Sequence, residues 1–322
     1  MRTRNWWCRL MIFGLFFVLA IGFSPSVDRC LAAEVQQYQI VAASMGGAIY
    51  RWCAAFSKVF NEQVKGAQFV VRTGSPPENI LMVETGEVPL AGTSAGYYKQ
   101  VHPDNPDFRK SRVRTVWEMF CLYRYLVVPA DSPYRTYDDL KGKKIAVGIK
   151  TAEGGDFLEM VKALGWKDKD IKFYYIGKNE GMTAYKDGTV DAWTGWSTVP
   201  SPHLMQLASS RRGARVIPFS RSEIETIEKV NMAYSGDIIP AGSSKDIEKD
   251  IPTISYWLEL IARDDFPEDV AYQIADAIDH HLKDVIAVFK GARDATAENT
   301  VKHHAFQLHP GTVKYLKEKG LM

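Results

Sequence analysis

The sequence predicts an open-sheet α/β fold with more than one core, on three observations. Short runs rich in β-branched and aromatic residues alternate with longer amphipathic segments along the chain. Beyond the first thirty-three residues the chain is roughly 290 residues long, more than one core ordinarily holds. Glycine- and hydroxyl-bearing turns follow the strand candidates, which is where open α/β sheets place their ligands.

The N-terminus stands apart. Arg2, Arg4 and Arg9 give a positive start, an apolar run spans residues 10–23, Pro25 breaks any helix, and Ala32 and Ala33 precede Glu34. This pattern predicts a secretory signal peptide over residues 1–33. The apolar run is short for a membrane span, which takes about 20 residues; a retained anchor is the competing reading. Cys30 follows Val27, Asp28 and Arg29, which is not a lipid-attachment context. Four of the 40 basic residues and one of the 38 acidic residues lie in this segment, so 36 and 37 remain. The basic excess therefore belongs to the leader, and no nucleic-acid surface is expected. Cys53 and Cys121 stay behind, either as a disulfide in an oxidising compartment or as two buried thiols.

Strand candidates fall at residues 39–43, 69–72, 89–92, 123–128, 144–148, 172–176 and 192–195. Helix candidates lie between them at 49–63, 77–84 and 155–164. Residues 256–289 read as mainly helical, with Pro267 at a first turn and Val270, Ile274, Ala277 and Ile278 forming an apolar stripe.

The strand-end rule points at particular loops. The first is Ser44-Met45-Gly46-Gly47-Ala48-Ile49-Tyr50, whose glycines let backbone N–H groups approach a ligand at a helix N-terminus. In the second, Thr73 to Asn79, Ser75 with Glu78 resembles a capping box; a cap and a ligand contact are compatible roles. The third carries Thr93 and Ser94, and the fourth runs from Gly148 through Thr151 to Gly154 and Gly155. Trp193 and Trp196 lie on or after a strand, where they either pack in the core or wall a cleft, with a turn at Gly195 to swing Trp196 inward. The dinucleotide and phosphate-loop spacings are absent, as are Gly-x-Ser-x-Gly and His-Glu-x-x-His. His280-His281 and His303-His304 read as exposed helix residues, because adjacent helical side chains point about 100° apart. No cofactor and no metal are expected.

In this order the loops resemble those of the solute-binding subunit of TRAP transporters of the TAXI type, over nearly the whole chain after the leader. The resemblance is carried by Ser44 to Tyr50, Thr73 to Asn79, Thr85-Gly86-Glu87 to Ala91, Asp139-Leu140-Lys141-Gly142 to Gly148, Ile239-Pro240-Ala241-Gly242-Ser243, and His309-Pro310-Gly311 to Leu321. It implies a two-lobed periplasmic binding protein fold of the type II kind, with a hinge between lobes. Lobe one would be residues 34–125 and 235–322, lobe two residues 126–234. Three departures stand out. The fourth loop is Thr151-Ala152-Glu153-Gly154-Gly155 instead of a Gly-Ser-Gly-Thr type, Ala95 follows Ser94 where the family carries Asp, and two tryptophans replace smaller residues. With an acceptor lost and indoles gained, an organic anion or aromatic acid stands beside an amino acid as the expected ligand.

The expected mechanism is capture by hinge closure. Ser44, Met45, Gly47 and Tyr50 present donors and a ring, Ser75, Asn79, Thr93 and Ser94 add polar contacts, Thr151 and Gly154 contribute from the second lobe, and Trp193 and Trp196 form the wall. The expected partners are the small molecule and a membrane permease subunit. An exported hydrolase and a sensor's ligand-binding module are the rival classes.

Overall fold

The protein is described here by a computed structural model covering residues 35–45, 47–150 and 153–322. The leader 1–33 and Thr151, together with Glu34, Gly46 and Ala152, lie outside the described residues. The described residues form one ten-stranded mixed sheet with helices packed on it, so the α/β class read from the alternation is the one the chain adopts.

The first part runs β1 (Gln36–Val41), α1 (Ala48–Gln63), β2 (Ala67–Arg72), α2 (Pro76–Thr85) and β3 (Leu90–Thr93), with β1 parallel to both β2 and β3. A 3-10 turn at Ala95–Tyr97 and α3 (Tyr98–Val101) follow. The long β4 (Val113–Val128) leads to β5 (Lys144–Ala146), α4 (Glu153–Ala163), β6 (Lys172–Tyr174), α5 (Lys178–Lys186), β7 (Ala192–Ser197), α6 (Pro202–Ala208), β8 (Arg215–Val216) and α7 (Arg221–Val230). Then come β9 (Ser235–Ile239), β10 (Ile251–Arg263), α8 (Glu268–Val288), α9 (Ala297–His303) and α10 (Pro310–Glu318).

The sheet order is β2-β1-β3-β10-β4-β7-β5-β6, with β8 on β4 and β9 on β10. Two long antiparallel strands therefore join two parallel arms. Residues 259–262 of β10 pair with β3 on one arm, and residues 123–127 of β4 pair with β7 on the other. The first part of β10 pairs with β9.

Two differences from the sequence reading have physical causes. The stretch 256–289 is helical over Glu268–Val288, as read, but it opens on the end of a strand: β10 runs to Arg263 before α8 begins. Residues 258–262 are buried because strands flank β10 on both edges and helices cover it, and a run buried on both faces, with Glu259 buried among its apolar neighbours, carries no period that separates strand from helix. Likewise β4 begins ten residues before 123. Glu118 breaks its apolar pattern, yet it is buried opposite Glu259 of β10. The stripe Val270, Ile274, Ala277 and Ile278 is buried as its spacing predicts. Cys53 and Cys121 are free and buried, which settles their role as small apolar groups; burial pushes both thiols up.

The His309-Pro310-Gly311 segment shows how local chemistry fixes a helix. His309 is the fully buried N-cap of α10, and its Nδ1 accepts from the Gly311 N–H at 3.2 Å. Pro310 follows at the first helical position. Gly311 is required by close approach: a Cβ there would lie 2.2 Å from the Glu268 carbonyl oxygen and 2.7 Å from the Tyr272 nitrogen of α8. Both are backbone atoms that cannot swing aside. Gly311→Ala is therefore expected to lift α10 off α8 and lower stability by about 2–3 kcal/mol, measured by denaturant titration.

Candidate functional site

At the ends of β1 and β3, Asn79 ties two of the sequence-singled loops together. It is fully buried, and its Nδ2 donates to the carbonyls of Val41, Ala42 and Gly92 at 3.2, 2.7 and 2.9 Å. Gly74 leaves room for it: a Cβ there would come within 2.6 Å of Asn79 Oδ1 and 2.3 Å of Val41 Cγ1. Thr93 Oγ1 donates to the Pro76 carbonyl at 2.5 Å, and Ser94 Oγ accepts from the Gly96 N–H at 3.1 Å. These polar groups shape the loop instead of pointing outward. Ser75 is the N-cap residue of α2, but its side chain makes no capping hydrogen bond.

The loop so held carries Tyr97 and α3 toward α4. Lys99 pairs with Glu159, Gln100 Nε2 donates to Asp156 Oδ1 at 2.9 Å, and Asn231 Nδ2 donates to the Gly96 carbonyl at 2.9 Å. Behind these contacts lies a buried aromatic and charged cluster. Tyr97 and Tyr256 share a hydroxyl hydrogen bond at 3.2 Å, and Trp196 stands edge-on to Tyr256 with ring centres 4.5 Å apart. Trp196 Nε1 donates to Asp156 Oδ2 at 3.3 Å, and Tyr234 lies 5.6 Å from the Trp196 ring.

Strand register explains the middle of this cluster. Arg124 of β4 is directly opposite Trp196 of β7, and opposed residues share a face. The guanidinium lies 4.1 Å from the Trp196 ring centre and 5.4 Å from that of Phe157. Arg124 is 1% exposed, and its Nε and Nη1 have no hydrogen-bond partner among the described residues. Burial pushes the Asp156 carboxyl up to about 6, against the opposing pull of Arg124 and the Trp196 hydrogen bond.

Trp193 is on the other face of β7, two short of Gly195 and in a second core with Met182 and Val216. Alternation along an uninterrupted strand, not a turn at Gly195, turns the two indoles apart. Gly154 is buried, its N–H bonded to the Ile149 carbonyl at 3.0 Å, and it sits two residues before Asp156. In the first loop Ser44 and Met45 are exposed, Gly47 is the N-cap residue of α1, and Tyr50 packs half-buried against the core. Of the sequence-singled residues, Ser94, Gly154 and Trp196 belong to segments that meet here, Tyr50 packs against the core that includes Trp196, and Trp193 lies in the second core. Arg124, Asp156, Tyr97, Tyr234 and Tyr256 were missed. Arg124 had a signal: it is the one charge in the apolar run Met119 to Val128.

The nearest arrangement to a nucleophile and base is Ser197 Oγ, 3.1 Å from His203 Nδ1. Burial, and then the charge of Lys178, push that imidazole down to about 4, and no carboxylate orients it among the described residues. The groups that meet at the cluster are hydrogen-bond donors, acceptors and aromatic rings.

The protein is thus an α/β chain whose two sheet arms meet over a buried cationic and aromatic cluster. It belongs to the NMT1-like family, which its residues 40–320 match. It is 32% identical over 81 residues to the "Putative aliphatic sulfonates-binding protein" of Escherichia coli (strain K12), a match covering 25% of this chain and a quarter of that protein's length. Among solved structures it is similar to XAC2383 of Xanthomonas citri bound to ATP, with a TM-score of 0.54 at 10% identity, covering 88% of this chain and 95% of that one. It is also similar to the periplasmic aliphatic sulphonate binding protein SsuA of Escherichia coli, with a TM-score of 0.46 at 17% identity, covering 88% and 78%. The XAC2383 likeness shows a shared fold.

Proposed function

We propose that the chain is a periplasmic solute-binding protein that captures a small organic anion by closing two lobes and delivers it to a membrane transporter. One observation carries this reading. Side chains from both arms of the sheet, Lys99 with Glu159 and Gln100 with Asp156, meet over one buried cluster, while β4 and β10 run between the arms as continuous strands. The Lys99–Glu159 pair is exposed and contributes little, and a ligand bridging the arms shifts the balance toward the closed form.

The lobes are residues 35–122 with 256–322, and residues 123–255. Packing of Ile239, Ile247 and Ile251 in one core with Tyr125, Val127 and Trp193 supports a return crossing in the middle of β10 instead of near 235. The leader at 1–33 supports export. The order of the loops supports a TAXI-type TRAP permease as the membrane partner. A second reading, an ATPase-driven sulfonate transporter, takes its solute from the name of the sulfonates-binding relative. A neighbouring gene for a fused multi-span subunit decides for the first, and one for an ATPase decides for the second.

Native mass spectrometry on protein purified from its own host tests the function. The expected result is a small acid bound at one per chain, released chemically unchanged and rebound saturably. Turnover of that molecule by the purified protein would replace the reading with an enzyme.

A further inference from the structure

The other buried arginines of this fold show what a structural guanidinium looks like. Arg212 Nη1 donates to the carbonyls of Tyr185 and Val190 at 2.6 and 2.8 Å. Arg215 Nη2 donates to those of Ser132 and Tyr134 at 3.0 and 2.7 Å. Both are half-buried and hold loop carbonyls in place. Arg124 is more buried than either, yet its only polar contact among the described residues is Nη2 with the Met160 sulfur at 3.7 Å. Its Nε and Nη1 are without a partner there. Asp156 is nearby, but both its oxygens are engaged by Gln100 and Trp196.

A buried cation of this kind is costly unless an anion meets it. Aromatic faces offset part of that cost, and they leave the in-plane N–H groups free. Those groups form the fork that recognises carboxylate and sulfonate oxygens. Position adds to the case. The register places Arg124 beside Trp196, whose ring contacts Tyr234 and Tyr256 and whose Nε1 contacts Asp156, the residue that receives Gln100 from the other arm.

We propose that Arg124 is the anchor for the ligand's anionic group, and that the solute is a monoanion, a carboxylate or a sulfonate, on a small apolar or aromatic body. This rests on the solute-binding reading above. The single charge follows from the cations at hand: Lys99 and Lys178 are already paired with Glu159 and Glu153, which leaves the Arg124 guanidinium to meet an anion. The apolar body follows from the rings here: Trp196 and Phe157 lie against the guanidinium, and Tyr234 and Tyr256 pack on Trp196.

The test uses the full chain, its Arg124→Met and Arg124→Lys variants, and six probes: butyrate, benzoate, methanesulfonate, benzenesulfonate, the dianion phthalate and neutral benzamide. Thermal shift and calorimetry are read for each. The unsubstituted protein should be stabilised by at least one monoanion, with carboxylate against sulfonate separating the two head groups, and not by benzamide or phthalate. Arg124→Met should lose roughly 100-fold or more in affinity for that monoanion, and Arg124→Lys should retain part of it. Without ligand, at pH 4, where Asp156 is protonated and loses no counter-charge, Arg124→Met should melt at or above the temperature of the parent, because a buried charge without a hydrogen-bonded anion has been removed. A purely structural arginine would give the opposite melting result, and that result would overturn the proposal. So would benzamide binding as well as benzoate, or Arg124→Met binding the monoanion unchanged. A neutral solute found on the native protein would sink the anchor and leave the solute-binding reading standing. An unsubstituted protein that binds no probe, and carries no solute from its host, would sink both.

Discussion

Asn79→Ala is expected to lower the stability of the protein by about 3–4 kcal/mol. The side-chain amide reaches three buried carbonyls, on Val41, Ala42 and Gly92, and removing it leaves them without that donor. Each buried group so stranded costs about 1–3 kcal/mol, and the three share one donor group, so the total falls short of the sum. Asn79→Asp should do at least as much harm, because a carboxylate puts acceptors against acceptors. Denaturant titration measures the change as a lower midpoint at constant slope. A loss below about 1 kcal/mol in both variants would show that the strand ends are held by their ladder alone. The same change should weaken ligand capture, since Asn79 positions the loop that carries Tyr97 and α3 to the cluster.

Asp156 gives the second large effect, and it depends on pH. Burial holds its carboxyl at about 6 in the fold against 3.8 for the free group, with Arg124 and the Trp196 hydrogen bond pulling the other way. The folded chain thus keeps a proton that the unfolded chain releases. Stability is full below pH 3.8 and is lost as the pH rises through 6. The shift corresponds to about 3 kcal/mol between pH 3 and 8. The groups facing Asp156 are Arg124 from β4, Tyr97, Lys99 and Gln100 from the turn and α3, Trp196 from β7, Tyr234, Tyr256 from β10, and Glu153 and Glu159 from α4 itself. Other buried carboxyls titrate in the same range, burial raising Glu259 to about 7, so the readout is a difference between two proteins. Asp156→Asn should be less stable than the parent at pH 4, where it loses one of two hydrogen bonds, and should gain on it steadily toward pH 8. Parallel stability profiles for the two proteins would show that Asp156 is not buried in solution.

The alternation of strand and helix was legible because parallel arms write it directly: β1, α1, β2, α2 and β3 fall within a few residues of their predicted places. The two long joining strands were not. Both are buried on each side: the end of β10 was read with the helix that follows it, and β4 was read only from 123 although it begins at Val113. His309-Pro310-Gly311 was singled out only within a family resemblance; its cap, first-turn proline and close approach emerge from the packing of α10 on α8. Loop hydroxyls were over-read: Thr93 and Ser94 satisfy neighbouring backbone groups, as most such hydroxyls do. The cluster around Arg124 depends on pairing between β4 and β7 across some seventy positions of chain, and no local pattern reports a register. A lone arginine in an aromatic and β-branched run was the one trace it left.

The account depends on two arms of the sheet moving about β4 and β10 to enclose a solute. Spin labels at Glu78→Cys and Asn179→Cys, exposed sites on opposite arms, measure that motion by pulsed dipolar spectroscopy; the native thiols Cys53 and Cys121 are buried and stay unlabelled. With the solute recovered from the native protein, the distance distribution should shift to shorter values and narrow. The same distribution with and without a saturating solute would contradict capture by closure.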